Sequence, residues 1–143
     1  MPRTSDARML RPTHIAETAL YVDDLDRSVE FYTKLFGWGV ARRDERFCAL
    51  RVADQQVLLL FRRGASANSV PFGEAFIPGH DGSGPAHVCF GMGSDDWERW
   101  ERHLVACGIP VESRIRWPGG ARSLYFRDPD RHAVELATPG IWD

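Results

Sequence analysis

Residues 15–40 read IAETALYVDDLDRSVEFYTKLFGWGV, and the hydrophobic period changes in the middle of this stretch. From Glu17 to Val22 the two sides of the chain alternate, which is typical of a strand with one buried face. After Asp24, a suitable helix N-cap, apolar residues recur at helical spacing up to Gly37, a residue that commonly ends helices. The stretch therefore predicts one strand followed by one amphipathic helix.

The same pattern returns in residues 84–113, GPAHVCFGMGSDDWERWERHLVACGIPVES. His87 stands where Glu17 stood, 70 residues earlier, at the head of an apolar strand. Ser94 or Asp95 takes the capping position, and a tryptophan and leucine stripe follows at helical spacing. The chain thus contains an internal repeat, and the stripe is interpreted as core.

The later strands repeat as well. RVADQQVLLLF from Arg51 aligns with RDPDRHAVELA from Arg127, 76 residues later. The element order β-α-β-β-β then occurs twice, which makes the class α+β. The predicted division is a loose N-terminal leader at 1–13, a first βαβββ module at 14–63, a linker at 64–84 and a second module at 85–143.

Length and composition exclude several classes of protein. The chain has 143 residues, a formal net charge of −2 and no basic stripe, so nucleic acid is not an expected partner. Its apolar runs all fall short of the ~18 residues that a membrane helix needs. The N-terminus lacks the apolar core of a signal peptide, so we expect a cytoplasmic protein with no membrane partner.

Three ionisable residues occupy strand faces that also carry small residues. Glu17 lies beside Ala19 in the alternating pattern, His87 beside Cys89, and Glu135 between two alanines. A lone buried carboxylate costs several kcal/mol unless it is paired or bound to metal. The repeat makes these positions equivalent or adjacent, which favours a converging cluster. The alternative is that each is a solvent-exposed or hydrogen-bonded residue at a strand end.

Two phrases, ALYVDDLDRSVEFYTKLFG and LYFRDPDRHAVELATPG, resemble the glyoxalase/bleomycin-resistance/extradiol-dioxygenase group, the vicinal oxygen chelate superfamily. The resemblance covers Ile15 to Trp142 and implies two βαβββ modules that form a cup-shaped mixed sheet with helices on the outside. The implied metal ligands are Glu17, His87 and Glu135. Leu59 stands at a fourth ligand position of some members and cannot bind metal. The implied cofactor is a divalent ion (Mn²⁺, Zn²⁺, Mg²⁺ or Fe²⁺), and oxygen-rich ligands favour the first three.

The resemblance implies a metal-dependent lyase, isomerase or dioxygenase whose small-molecule substrate chelates the ion through adjacent oxygens. Glu17 and Tyr125 are the candidate catalytic residues. Arg114 and Arg122, around the loop WPGGARS, are candidate clamps for a substrate carboxylate or phosphate. His14 is the substitute if Glu17 is not a ligand.

A homodimer is the implied assembly, with the site inside one chain or shared between two. Two other functions stay open: a metal-free drug-binding protein of the bleomycin-resistance kind, and a ligand-binding or regulatory module without turnover.

Overall fold

The computed structural model describes residues 9–143, so most of the predicted leader lies outside the described residues. The elements are β1 (Glu17–Val22), α1 (Leu25–Phe36), β2 (Val40–Arg43), β3 (Phe47–Ala53), β4 (Gln56–Arg62), β5 (Val70–Phe72), β6 (Ala75–Ile77), β7 (His87–Gly91), α2 (Trp97–Ala106), β8 (Ser113–Arg116), β9 (Arg122–Arg127) and β10 (Ala133–Ala137). The α+β class and the two βαβββ units are confirmed. The short hairpin β5–β6 inside the linker was not predicted. Neither helix in this described part is long and apolar enough to cross a bilayer.

The two helices are capped differently. The Asp24 side chain accepts a backbone hydrogen bond of 3.1 Å in the first turn of α1, and Gly37 ends that helix with φ of 71°. Both predicted caps are therefore confirmed. Neither Ser94 nor Asp95 caps α2: the turn continues to Asp96, whose side chain makes no capping bond. The prediction for this second cap was wrong because a tight turn moves the start of the helix along the chain.

The repeat is visible in the sheets and in the turns. The strand orders are β1-β4-β3-β2 and β7-β10-β9-β8, with the outer pairs β1/β4 and β7/β10 parallel and the remaining pairs antiparallel. Gln55 and Arg131, 76 residues apart, are the two non-glycine residues among 9–143 with positive φ, at 60° and 70°. The same backbone turn thus joins the last two strands of each module.

Both modules share one hydrophobic core. The even-numbered residues of β1, β3, β4, β9 and β10 point into it, together with the apolar sides of both helices. Phe31 of α1 contacts Phe126 of β9, and Phe36 contacts both Phe90 of β7 and Trp100 of α2. α1 therefore packs on both sheets at once and also contacts α2. We call the sheet faces in this core the covered faces and the odd-numbered faces, which point away from this core, the open faces.

Buried polar contacts join the β9–β10 turn to the first module. The Tyr32 hydroxyl donates to Asp128 Oδ2 at 2.7 Å, and both residues are buried. The buried ring of His132 accepts from the Ala86 N–H at Nδ1, so its other nitrogen donates to the Tyr21 carbonyl, 2.8 Å away. These bonds fix the two modules back to back.

Candidate metal centre

The chemistry-bearing side chains lie on the two open faces. The first open face consists of Glu17, Ala19 and Tyr21 of β1, Phe47, Ala49 and Arg51 of β3, and Val57, Leu59 and Phe61 of β4. The second consists of His87, Cys89 and Gly91 of β7, Ser123, Tyr125 and Arg127 of β9, and Ala133, Glu135 and Ala137 of β10. Strand pairing arranges each set in rows across its sheet, because partners on neighbouring strands point to the same side.

His87 and Glu135 meet on the second open face. His87 Nε2 lies 3.2 Å from Glu135 Oε1, and the imidazole is half exposed (53%) while the carboxylate is nearly buried (7%). His87 Nδ1 is 2.9 Å from the Ala133 carbonyl, an acceptor, so Nδ1 carries the proton. In the neutral ring Nε2 then directs a lone pair at a carboxylate oxygen. Two acceptors at this distance need a second ring proton or a cation between them.

The pair supplies two of the ligands that a divalent metal site needs. A backbone carbonyl that orients Nδ1–H leaves Nε2 free for ligation, as is usual for metal-binding histidines. Two ligand atoms about 2.1 Å from one ion lie about 3.0–3.4 Å apart at octahedral or tetrahedral angles, which includes the observed separation. One nitrogen and one carboxylate oxygen are donors that Zn²⁺ and Mn²⁺ accept. The donor atoms of this pair therefore fit the ion that the fold implies.

Glu135 is held from its other side by a directional hydrogen-bond chain. Trp117 Nε1–H donates to Ser123 Oγ at 2.8 Å, and the buried Ser123 hydroxyl donates to Glu135 Oε2 at 2.5 Å. Since indole nitrogen is a donor only, the direction of both bonds is determined. The chain leaves Oε1 facing His87 and restricts rotation of the carboxylate.

Two more groups on this face stay protonated at neutral pH. Desolvation, then the charge of Glu135 and a hydrogen bond to it, raise the pKa of Tyr125. Desolvation and the same carboxylate raise the pKa of Cys89 to about 12. Tyr125 can therefore donate a hydrogen bond into the site, and the Cys89 thiol is poorly suited to act as a ligand or nucleophile.

Glu17 does not join this pair within one chain. It lies on the first open face, across the core from His87, and lines a cavity together with Leu59. Among residues 9–143 no three His, Cys, Asp or Glu side chains are placed to hold a metal ion. His14, the substitute ligand, is exposed ahead of β1 and bonds to its neighbour Thr13.

The two arginines expected to clamp the substrate point elsewhere. Arg114 donates to Glu101 of α2 at 2.5 Å, and the Arg122 guanidinium stacks 4.2 Å above the Trp97 ring of α2. Both are even-numbered strand residues and so lie on the helix side of the second sheet. This placement corrects the expectation that they clamp a substrate anion, since both guanidinium groups already contact α2 and point away from the second open face.

Sequence reasoning missed the residues that support the site. Ser123 shares its parity with Tyr125 on the predicted strand, and a small polar residue within an apolar strand was the available signal. No comparable signal existed for Trp117, which a loop brings over the sheet. Arg42 and Arg51, which were not among the predicted site residues, both line the cavity over the first open face.

Comparisons with known proteins agree with the fold described above. The sequence model of the Glyoxalase/Bleomycin resistance protein/Dioxygenase superfamily matches residues 13–136. The metallothiol transferase FosB of Bacillus licheniformis is 28% identical over 125 residues, covering 85% of this chain and 73% of that protein. The glutathione transferase FosA of Serratia marcescens is 27% identical over 117 residues, covering 82% and 74%. The crystal structure of a lactoylglutathione lyase from Agrobacterium tumefaciens superposes with a TM-score of 0.83 at 34% identity, covering 92% of this chain and 97% of that one.

Proposed function

Because the chain belongs to the Glyoxalase/Bleomycin resistance protein/Dioxygenase superfamily, we propose that it is a metal-dependent enzyme acting on a small molecule that chelates a divalent ion through adjacent oxygens. The observation that carries the proposal is the 3.2 Å approach of His87 Nε2 to Glu135 Oε1. The two similar transferases and the similar lyase support an enzymatic role.

His87 and Glu135 would hold the ion together with Glu17. A bound divalent ion supplies Lewis-acid stabilisation of negative charge that develops on substrate oxygens. One histidine and two glutamates form a harder donor set than the two histidines and one carboxylate typical of oxygen-activating iron sites. The donor set therefore favours a non-redox lyase, isomerase or transferase reaction with Mn²⁺, Mg²⁺ or Zn²⁺ over dioxygenase chemistry.

Glu17 would reach the ion from a second copy of the chain. Since the two open faces lie on opposite sides of one core, a chain cannot fold its own Glu17 onto its own His87. A symmetric homodimer solves this: the first open face of each subunit covers the second open face of the other, and two equal sites form. The cup that the family resemblance implies is then made of two chains.

The chain's own residues have distinct tasks in this proposal. Trp117 and Ser123 orient Glu135, and Ala133 orients the imidazole of His87. Tyr125, protonated at neutral pH, donates a hydrogen bond to a substrate oxygen on which charge accumulates. Glu17 is exposed within its own subunit, which suits a carboxylate that binds the ion or accepts a substrate proton.

Metal analysis of differently tagged subunits tests the proposal. Protein purified without chelator should contain about one divalent ion per chain, and Glu135→Ala should lose it. Glu17→Gln and Glu135→Gln homodimers should each be metal-poor. Their heterodimer, isolated through both tags, should hold about half the wild-type metal, because one of its two sites combines both unaltered subunit faces.

Two other results would contradict the proposal. A heterodimer without metal would contradict a site shared between subunits. Metal-free wild type that still binds a planar drug would favour the drug-binding alternative. Asp24→Asn, at the helix cap of α1 and away from both open faces, is the control and should leave metal content unchanged.

A further inference from the structure

A cavity of about 410 Å³ lies over the first open face. Its floor is apolar and is formed by Ala49, Val57 and Leu59, and Phe47 and Phe61 add aromatic surface. This volume falls within the usual range for small-molecule sites, which combine an apolar lining with a few convergent polar groups. The cavity therefore suits an organic molecule with an apolar or aromatic body.

Positive charge dominates the rim of this cavity. Arg42, Arg46 and Arg51 line it, against one acidic residue, Glu17. A β-bulge between Val40 and Arg42 places Arg42 opposite Ala49 on the open side of the edge strand. Arg46 is partly neutralised by Asp44 at 3.3 Å. Within residues 9–143, Arg42 and Arg51 form no ion pair, so their guanidinium groups are available to an anion.

The opposite end of the cavity is closed by the linker. His80 packs edge-on against Phe61, with ring centroids 4.5 Å apart, and its Nδ1 lies 2.7 Å from the Tyr21 hydroxyl. Gly82 approaches the Tyr21 ring so closely that a Cβ there would come within 2.6 Å of it. The linker is thus seated on the aromatic end of the sheet. Arg51 lies in the row of residues at the other end, and Arg42 lies on the edge strand β2.

Strand pairing gives the distance between the charges. Glu17 of β1 and Arg51 of β3 are both paired with Val57 of β4, so they lie in one row, two strand spacings apart. At about 4.8 Å per spacing, their Cα atoms are about 10 Å apart. A molecule that reaches from Glu17 to Arg51 is therefore small, with its ends recognised by different groups.

We infer that Arg42 and Arg51 bind an anionic group of the substrate, a carboxylate, phosphate or phosphonate, at the end of the molecule away from the metal-chelating oxygens. The inference rests on the proposed function for the chelating end, and on the cavity itself for the anionic end. It defines the substrate class as a small molecule with an apolar or aromatic body and one terminal anion.

Binding of simple probes to metal-stripped dimer tests the anionic end alone. The probes are 4-phenylbutyrate, 3-phenylpropylphosphonate and the neutral 4-phenylbutyramide, titrated by ligand-observed NMR. Both anions should bind about tenfold more tightly than the amide, because a charge-assisted bond to arginine is lost with the charge. Raising NaCl should reduce this preference. The ratio of the two anions distinguishes a carboxylate-selective from a phosphonate-selective site.

Variants that each replace one arginine by glutamine test which arginines produce the preference for anions. Arg51→Gln and Arg42→Gln should each reduce the preference for the anions about three- to tenfold and together abolish it. Arg99→Gln, on α2 of the second module and paired with Asp96, removes the same charge at a position that does not line the cavity, and it should change nothing. Equal binding of anion and amide to wild type, or an equal loss in Arg99→Gln, would overturn the inference.

Metal content separates this result from the proposed function. The Arg42 and Arg51 variants should keep wild-type metal, since neither residue is a proposed ligand. Anion preference without any bound metal in purified protein would uphold the inference and refute the proposed enzyme. Normal metal content without anion preference would refute the inference and leave the proposed enzyme supported.

Discussion

The Ser123→Ala substitution offers the sharpest test of the metal centre. Ser123 Oγ donates to Glu135 Oε2 at 2.5 Å, and both side chains are almost completely buried. Alanine removes the donor and leaves a nearly buried carboxylate oxygen without its partner. A hydrogen bond to a charged group contributes about 1.5–3 kcal/mol. At about 1.4 kcal/mol per tenfold change, metal affinity should fall about 10- to 100-fold, the range known for residues that orient metal ligands.

The assay is competition for Zn²⁺ or Mn²⁺ between apo-protein and a chromophoric chelator. Each variant is first compared with wild type by circular dichroism and thermal unfolding, so that a loss of affinity is not a loss of fold. Trp117→Phe keeps the aromatic packing but removes the indole donor to Ser123. It should weaken metal binding less than Ser123→Ala, because it changes the partner of the serine rather than that of the carboxylate.

Ser113→Ala is the matched control. Ser113 of the edge strand β8 is paired with Tyr125 and so points to the same side of the sheet, but it donates no hydrogen bond to Glu135. Its removal should leave metal affinity within about twofold of wild type. If folded Ser123→Ala protein binds metal as tightly as wild type, the hydrogen-bond chain does not position Glu135 and the argument from its geometry fails.

Three further predictions concern folding stability and the reactivity of Cys89. Tyr32→Phe leaves Oδ2 of the buried Asp128 carboxylate without its donor and should lower the free energy of unfolding by about 1–3 kcal/mol in urea; a change below about 0.5 kcal/mol would contradict this. Asp24→Ala should cost about 1 kcal/mol by removing a cap, whereas Asp96→Ala, at the start of the helix without a side-chain cap, should be close to neutral in the same titration. Cys89, with its pKa raised to about 12, should be almost entirely thiol at pH 8 and alkylate more slowly with iodoacetamide than free cysteine. Glu135→Gln removes the nearby negative charge, lowers that pKa and should accelerate alkylation, as followed by peptide mass spectrometry. Equal alkylation rates in wild type and variant would mean that the charge of Glu135 does not act on the Cys89 thiol.

The faces of His87 and Glu135 followed from strand alternation, and the family resemblance implied that both bind one metal ion. Alternation assigns each residue to a face of its strand, and the repeat makes β7 and β10 counterparts of the paired strands β1 and β4. Parity and adjacency together place both side chains on one side of one sheet. The same rules explain the correction of Arg114 and Arg122: both are even-numbered in strands whose even face carries the helix, so parity already excluded them from the open face.

The positions of Trp117 and Arg42 could not be predicted, because they depend on contacts that strand alternation does not encode. Trp117 reaches Ser123 only because the β8–β9 loop folds over the sheet. Arg42 faces the cavity because a bulge changes the alternation of β2. Neither a loop path nor a bulge leaves a periodic signal, since each is an interruption of the period.

The sequence alone determined the two βαβββ modules and the first helix, from its N-cap at Asp24 to its end at Gly37. It also placed Glu17, His87 and Glu135 on definite faces of their strands. Those are properties of a few neighbouring residues, set by strand and helix periods and by caps. Only the tertiary structure decided that the modules pack back to back, with Phe31 and Phe36 of one helix against the other module's sheet. That arrangement, which sends Glu17 and His87 to opposite sides of the core, results from non-local burial of apolar surface, and burial has no period along the chain.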